Sequence, residues 1–294
     1  MTKHGAAAWI LAGPALLVIT VFFALPVVAG LALSLTDFDL YALADPSTLR
    51  FVGLHNYAQL LQTPLFWQAL LNTLYFVVIG VPVSIGLSLA AALLLDSRFA
   101  RWHAFFRTSL FAPVVTTAVA VAVIWRYLLH TRYGLVNQGL EAIGLAPIDW
   151  LGDPHWSMPA IIAFAAWKNF GYNMIILLAA LQAVPRELYE AARMDGAGAV
   201  RRFTDVTLPT LVPTLVLVGI LTVSGYFQLF AEPYVMTQGG PLRSTFSMLY
   251  LMYEEGFRWW NLGNASAVAF LLFVVIFCVS WVMLRFDRDA PGRR

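Results

Sequence analysis

The residues whose types and spacing could do chemistry fall into two sets. The first is a polar island, Glu190-Ala191-Ala192-Arg193-Met194-Asp195-Gly196-Ala197-Gly198-Ala199-Val200-Arg201-Arg202-Phe203, in a chain that otherwise avoids charge. Glu190 and Asp195 can accept charge-assisted hydrogen bonds, and the paired alanines let a partner surface come close. That is docking chemistry. The second set lies along two apolar stretches: Lys168, Asn169, Gly171, Tyr172 and Asn173 on one, Thr222, Ser224, Gly225, Tyr226 and Gln228 on the other. Amides, hydroxyls and rings suit a sugar, the rings covering its C–H faces and the amides meeting its hydroxyls. The same side chains also join helices by hydrogen bonds. On a helix Thr222 and Tyr226 share one face, and Ser224 and Gln228 nearly the opposite one. Only one of those pairs can line a path, and spacing alone leaves both open.

The elements that position the island are short. Pro185 suits a first helical turn, where its missing N–H would be unpaired anyway. Glu187 and Glu190 then sit near the positive helix end. Leu188, Ala191 and Ala192 form a small apolar face, and Gly196 is a natural stop, because a left-handed backbone costs glycine least. A second short helix is expected to carry Arg201, Arg202 and Phe203 back to Pro209. The loop 185–207 should therefore be a stiff elbow at the membrane surface.

The rest of the chain is lipid-soluble by composition. Of 294 residues, 60% are hydrophobic and 12% charged, against about 25% charged in soluble domains. Mean hydropathy is +0.75. Six windows are apolar enough to cross a bilayer as helices, about 7–35, 70–95, 108–129, 158–184, 208–231 and 264–284. They lack the alternation of barrel strands, so the expected fold is an all-α membrane bundle in a single domain, 1–294. Pro26, Pro82, Pro113 and Pro213 fall within spans and are expected to bend them. Lys168 stands ten residues into the fourth window, about 15 Å below its end, where a lysine costs about 2.5–3.5 kcal/mol to insert.

Of eighteen Lys and Arg, twelve fall on one side (Lys3, Arg98, Arg101, Arg107, Arg186, Arg193, Arg201, Arg202, Arg285, Arg288, Arg293, Arg294) and four on the other. The positive-inside rule puts both termini and the Glu190 loop in the cytoplasm. The opposite loops, Asp37–Trp67, His130–Ser157 and Glu232–Gly263, are longer and aromatic, and 51–67 reads as a short interfacial helix.

The island resembles the "EAA" coupling motif of binding-protein-dependent ABC importer permeases. Glu190-Ala191-Ala192, Asp195-Gly196-Ala197, Phe203, Val206 and Leu208-Pro209 fill its slots, with Gly198 where the family commonly has a capping serine. Further pieces are similar to sugar-type permeases of the maltose and glycerol-3-phosphate kind: Trp125-Arg126, Gly134, Asn137, Trp150-Leu151, Trp167-Lys168, Leu181-Gln182-Ala183-Val184-Pro185 and Thr237-Gln238-Gly239-Gly240-Pro241. The likeness runs from about residue 11 to 284. It implies a type I importer permease fold in a bacterial or archaeal cytoplasmic membrane. It also implies a second, similar permease subunit, two ATPase subunits that use ATP and Mg and receive Glu190, Ala191, Ala192, Asp195, Gly196, Ala197 and Arg201, and an extracytoplasmic solute-binding protein. By that analogy the two spans flanking the coupling loop hold the sugar, favouring Gly171, Tyr172, Thr222 and Tyr226.

Other classes fit less well. The chain has no phosphate loop of its own, no histidine pair at metal spacing, and no nucleophile beside a base. No catalytic residue, metal site, bound cofactor or nucleic-acid surface is expected. An ion-coupled carrier would need carboxylates well inside a span, and Glu232 stands only at an edge. A phosphorylated solute such as glycerol 3-phosphate would call for cations in the cavity, and Lys168 alone is available there.

Overall fold

The computed structural model describes residues 3–96 and 102–288, so Arg98, Arg101, Arg293 and Arg294 lie outside the described residues. The described residues are almost wholly helical, with one isolated bridge between Thr36 and Phe51. They form two compact units, one running up to Trp67 and including Leu251–Phe273, the other holding Gln68–Tyr250 and the chain from Val274 onward.

In the first unit the opening span runs to Ser34 through a π turn at Thr20–Ala24, just before Pro26. Its apolar stretch Leu11–Ser34 is not buried within the chain. Its C-terminal carbonyls are met by a side chain: Asn56 donates to Ser34 O at 2.9 Å and Thr36 O at 2.8 Å. Unpaired carbonyls at a helix end are costly away from water, and Asn56 sits on the short helix His55–Gln62 that supplies this partner. That helix ends at Thr63, short of the expected Trp67, and Pro64 opens the next span.

The second unit is built on the fourth span, Pro154–Gln182, whose most apolar window is 61% buried. Asp153 caps it, accepting from the His155 N–H at 2.8 Å. That bond, followed by the His155 ring, holds the Asp153 carboxyl below the usual carboxylate range. Met174, Leu177, Leu178 and Leu181 pack with Ala92 and Leu95 of the second span (Pro64–Asp96) and Leu211 and Val218 of the fifth. In lipid such packing gains little from hydrophobicity and depends on close approach and interhelical hydrogen bonds. Ser88 accordingly donates to Phe170 O at 2.9 Å.

Two expectations need correction. The window 108–129 is not one helix: His103–Val115 and Ala118–Leu128 meet at 99°. Pro113 lies near the end of the first piece, and Thr116 and Thr117 are both extended. Among the described residues five helices are thus long and apolar enough to cross a membrane, with a sixth span if the bent pair crosses as one. The elbow also lacks a separate second helix. Ala199–Arg202 passes through a π turn, Phe203–Thr207, straight into Leu208–Tyr226. Pro209 follows directly on the π turn, whose wider ladder accommodates a residue without an N–H, so the helix is not broken there. The sixth span runs Leu262–Arg288.

Gly171 marks a close contact between the third and fourth spans. A Cβ there would lie 2.5 Å from Leu110 O and 3.1 Å from the Phe111 Cα. Backbone cannot retreat as a side chain does. Gly171→Ala should therefore lower the melting temperature of the purified protein, at a cost of about 1–3 kcal/mol. An unchanged melting temperature would mean that the two spans do not pack this closely.

Candidate functional site

The connector between the fourth and fifth spans starts at Arg186, one residue later than Pro185 suggests, with Pro185 as the N-cap. Its helix, Arg186–Met194, ends in a Schellman turn. Gly196 N–H donates to Arg193 O at 3.0 Å, Ala197 N–H to Ala192 O at 2.9 Å, and Gly196 has φ +78°. That pairing satisfies carbonyls that would otherwise end the helix bare. Glu190, Ala191, Asp195 and Gly196 are exposed, Ala192 and Ala197 partly so. Met194 (89%) and Val200 (78%) are the most exposed apolar side chains of the segment, with Leu188 half exposed. Arg201 is exposed and pairs with Asp205 one turn on, at 3.3 Å, a contact of little energetic weight at a surface. The Tyr189 hydroxyl shares a 2.9 Å hydrogen bond with the Thr207 hydroxyl, tying the connector helix to the base of the fifth span.

The second set of residues separates into two faces of the fourth helix. Asn169, Tyr172 and Asn173, with Ala165, line a cavity of about 310 Å³. Across from them stand Leu221, Thr222, Gly225 and Tyr226, and Phe76 and Val114 complete the wall. Asn173 donates to the Thr222 hydroxyl at 2.9 Å, closing one side. Gln228 and Glu232 line the cavity too, whereas Ser224 does not. Gln228 joins Thr222 and Tyr226 in the lining, although helical spacing puts it nearly opposite them, because the helix ends at Tyr226; Gln228 and Leu229 turn back onto Gly225 and Tyr226. The Gln228 amide is held by Ser224 O at 3.1 Å.

Lys168 and Gly171, expected beside these residues, lie on the other face and do not line this cavity. Lys168 is 8% exposed, and its ammonium donates to Pro113 O at 3.3 Å and Thr116 O at 3.0 Å. It thus caps the broken third span, supplying donors that the next helical turn would have given. Gly171 makes room for Leu110 as described above. Lys168 and Gly171 lie three residues apart and share a stripe; Asn169, Tyr172 and Asn173 share the next one. A single polar wall in the sequence is two faces in space. Phe76, Val114 and Leu221 carry no sequence signal, being apolar residues in apolar helices. Glu232 could have been found, as a carboxylate at the edge of a span.

Several other conspicuous residues hold loops. Asn137 is 2% exposed, donating to Thr131 O and Ile148 O and accepting from the Trp150 indole at 2.9 Å. Gly134 passes so close to Leu128 O and His130 O that a side chain would collide. Thr237 shares a 2.7 Å hydrogen bond with Thr245 across the turn that contains Gly239, whose φ is +78°.

A multi-span helical protein with a polar cavity between spans and an exposed connector beneath it is, as a class, a membrane transport component. Residues 6–290 match the family described as binding-protein-dependent transport system inner membrane component, and the chain belongs to that family. It is 35% identical to the lactose transport system permease protein LacF of Rhizobium radiobacter, over 96% of this chain and 94% of that one. It is also 35% identical to the trehalose/maltose transport system permease protein MalF of Thermococcus litoralis, over 94% and 92%. A crystal structure of a bacterial ABC transporter involved in the import of the acidic polysaccharide alginate contains a chain of the same fold. Its TM-score is 0.81 at 23% identity, covering 99% of this chain and 98% of that one. The fold is that of type I importer permeases, and the chain is an ABC transporter permease subunit rather than an enzyme.

Removing the Lys168 ammonium should cost stability, because two carbonyls of the third span would lose their donor. Lys168→Met is expected to destabilise the protein by about 1–3 kcal/mol, read as a lower midpoint in thermal unfolding. A Lys168→Met protein as stable as the parent would return Lys168 to the list of residues free to meet a solute.

Proposed function

We propose that this permease imports a neutral mono-, di- or oligosaccharide, and that the sugar passes through the cavity between the fourth and fifth spans. The observation that carries this reading is the lining. Tyr172 and Tyr226 offer ring faces, while Asn169, Asn173, Thr222 and Gln228 offer amides and a hydroxyl, in a volume of about 310 Å³. Small-molecule sites start at about that size and combine an aromatic wall with a few convergent polar groups. Relatives named for lactose and for trehalose/maltose support the sugar class. A phosphorylated solute such as glycerol 3-phosphate fits less well, since the Lys168 ammonium is committed to backbone carbonyls and the cavity lining holds an acid, Glu232, and, among the described residues, no cation.

In this reading the whole chain works as one transmembrane domain in a bacterial or archaeal cytoplasmic membrane, both termini inside. Its partners are a second, homologous permease, two ATPase subunits that bind ATP and Mg, and an extracytoplasmic binding protein that delivers the sugar. The connector helix docks on an ATPase subunit. Glu190 and Asp195 make its charged contacts, Ala191, Ala192 and Ala197 permit close approach, Gly196 sets the turn, and Arg201 borders the surface. The exposure of Leu188, Met194 and Val200 supports this, because an unpaired apolar patch beside charges is characteristic of an interaction surface.

Glu190→Lys or Gly196→Pro should abolish uptake and binding-protein-stimulated ATP hydrolysis while the protein still inserts. Normal transport by either variant would rule out docking through the connector. Tyr172→Ala should cut sugar uptake by about tenfold or more, the scale of one lost ring contact plus a misplaced solute. Unaltered uptake would remove this cavity from the path.

A further inference from the structure

Tyr226 is a closely packed member of the cavity lining, and the second span packs against it. Phe76, Gly80 and Ser84 follow one another at four-residue intervals, and so form a single stripe along that helix. All three meet Tyr226. The Phe76 ring lies against the Tyr226 ring with centroids 4.9 Å apart and planes at 32°. At Gly80 an added Cβ would come within 2.9 Å of the Tyr226 Cε2 and 3.2 Å of its Cδ2. Glycine inside a helix is destabilising relative to alanine, so its place in this span calls for a reason of packing, and the tyrosine edge is that reason. Ser84 is completely buried, and it and Asn169 are the polar neighbours of the Tyr226 hydroxyl.

Tyr226 is 5% exposed and lines the cavity, but its Oη is buried, beside the equally buried Ser84 Oγ and the Asn169 amide. A buried phenol normally finds a partner, and these two side chains are the ones within reach. The ring is therefore held on the second span at its face, its edge and its polar end.

We infer that Phe76, Gly80 and Ser84 form a cradle that positions the Tyr226 ring, Ser84 anchoring its hydroxyl, and that residue 80 sets how far the ring stands into the cavity. This rests on the cavity being the sugar path. Gly80 and Ser84 are positioning residues: they act through Tyr226 and need not touch the solute. A larger residue at 80 must push the ring forward, shrinking the space between Tyr226 and Tyr172. The second span thereby becomes a third contributor to selectivity, although it does not flank the connector.

The test is a double-mutant cycle in the complete transporter, reconstituted in liposomes with its permease partner, ATPase and loaded binding protein. The probe is whichever of radiolabelled lactose, maltose and trehalose the wild type imports fastest. Gly80→Ala should lower sugar imported per ATP hydrolysed by about tenfold, with stimulated ATP hydrolysis itself within about twofold of wild type. In a Tyr226→Ala background the same change should have almost no further effect, since coupled residues fail to add. Ser84→Ala, which introduces no bulk, covers the case in which Gly80→Ala does not assemble. It should lower the ratio in the wild type and leave it unchanged in Tyr226→Phe, which has no hydroxyl to orient. Additive losses, or a silent Gly80→Ala beside a costly Tyr226→Ala, would overturn the cradle while leaving the sugar path standing. A silent Tyr226→Ala would overturn both.

Discussion

A polar group taken into an apolar medium must find a partner there, and much of this structure follows from that constraint. Water outside a soluble protein forgives an unpaired carbonyl or a stray ammonium; hydrocarbon does not. Asn56 exists to meet the carbonyls of Ser34 and Thr36, Asn173 to meet Thr222, and Ser88 to meet Phe170. Lys168 is the most demanding case. A lysine alone at that depth would be expensive, and a helix broken at Thr116 would leave its last carbonyls bare. Each problem is the other's solution, and the two hydrogen bonds from Nζ close both. The bend in the third span and the buried charge in the fourth are one feature.

With those demands met, the groups still unpaired become informative. Among the described residues the buried side-chain atoms without partners are the Ser84 Oγ, the Tyr226 Oη and the Asn264 Oδ1. Two of the three are neighbours, where the second span meets Tyr226. Each hydroxyl is the partner within the other's reach, so the Tyr226 ring is anchored at its polar end as well as along its edge.

Much of this was legible in the sequence, for a definite reason. Spans are set by composition, and a long run without charge has few structural readings in lipid. The stop at Gly196 was legible because one backbone conformation singles out one residue type. The expected break before Pro209 was not, because a π turn absorbs a proline that a regular ladder would reject. That Lys168 and Gly171 do not line the cavity was not legible for a related reason. Helical spacing says which residues share a stripe, but it does not say what lies opposite. Lys168 faces a broken helix and Tyr172, four residues on, faces a void, and only the third span's course separates the two. Gln228, Thr222 and Tyr226 line the cavity together, whereas the expectation that only one pair could do so assumed a helix that had already ended. Gly80 was silent in the sequence, because its meaning lies in a tyrosine edge nearly 150 residues away.

The same continuity that defeated the expected second helix gives the connector its mechanical meaning. From Ala199 to Tyr226 the backbone is helical throughout, with one wider turn. At about 1.5 Å per residue that is a rod of about 40 Å, with the connector at one end and Thr222 and Tyr226 at the other. The fourth span reaches the connector just as directly, ending at Gln182 only three residues before the next helix begins. Both principal walls of the cavity are therefore rooted in the same short segment, and the Tyr189–Thr207 hydrogen bond joins that segment to the second wall. A loose loop would let the connector move without consequence. Two stiff helices leaving a segment closed by a Schellman turn do not, so a displacement of the connector must tilt or part the walls on which Tyr172 and Tyr226 stand.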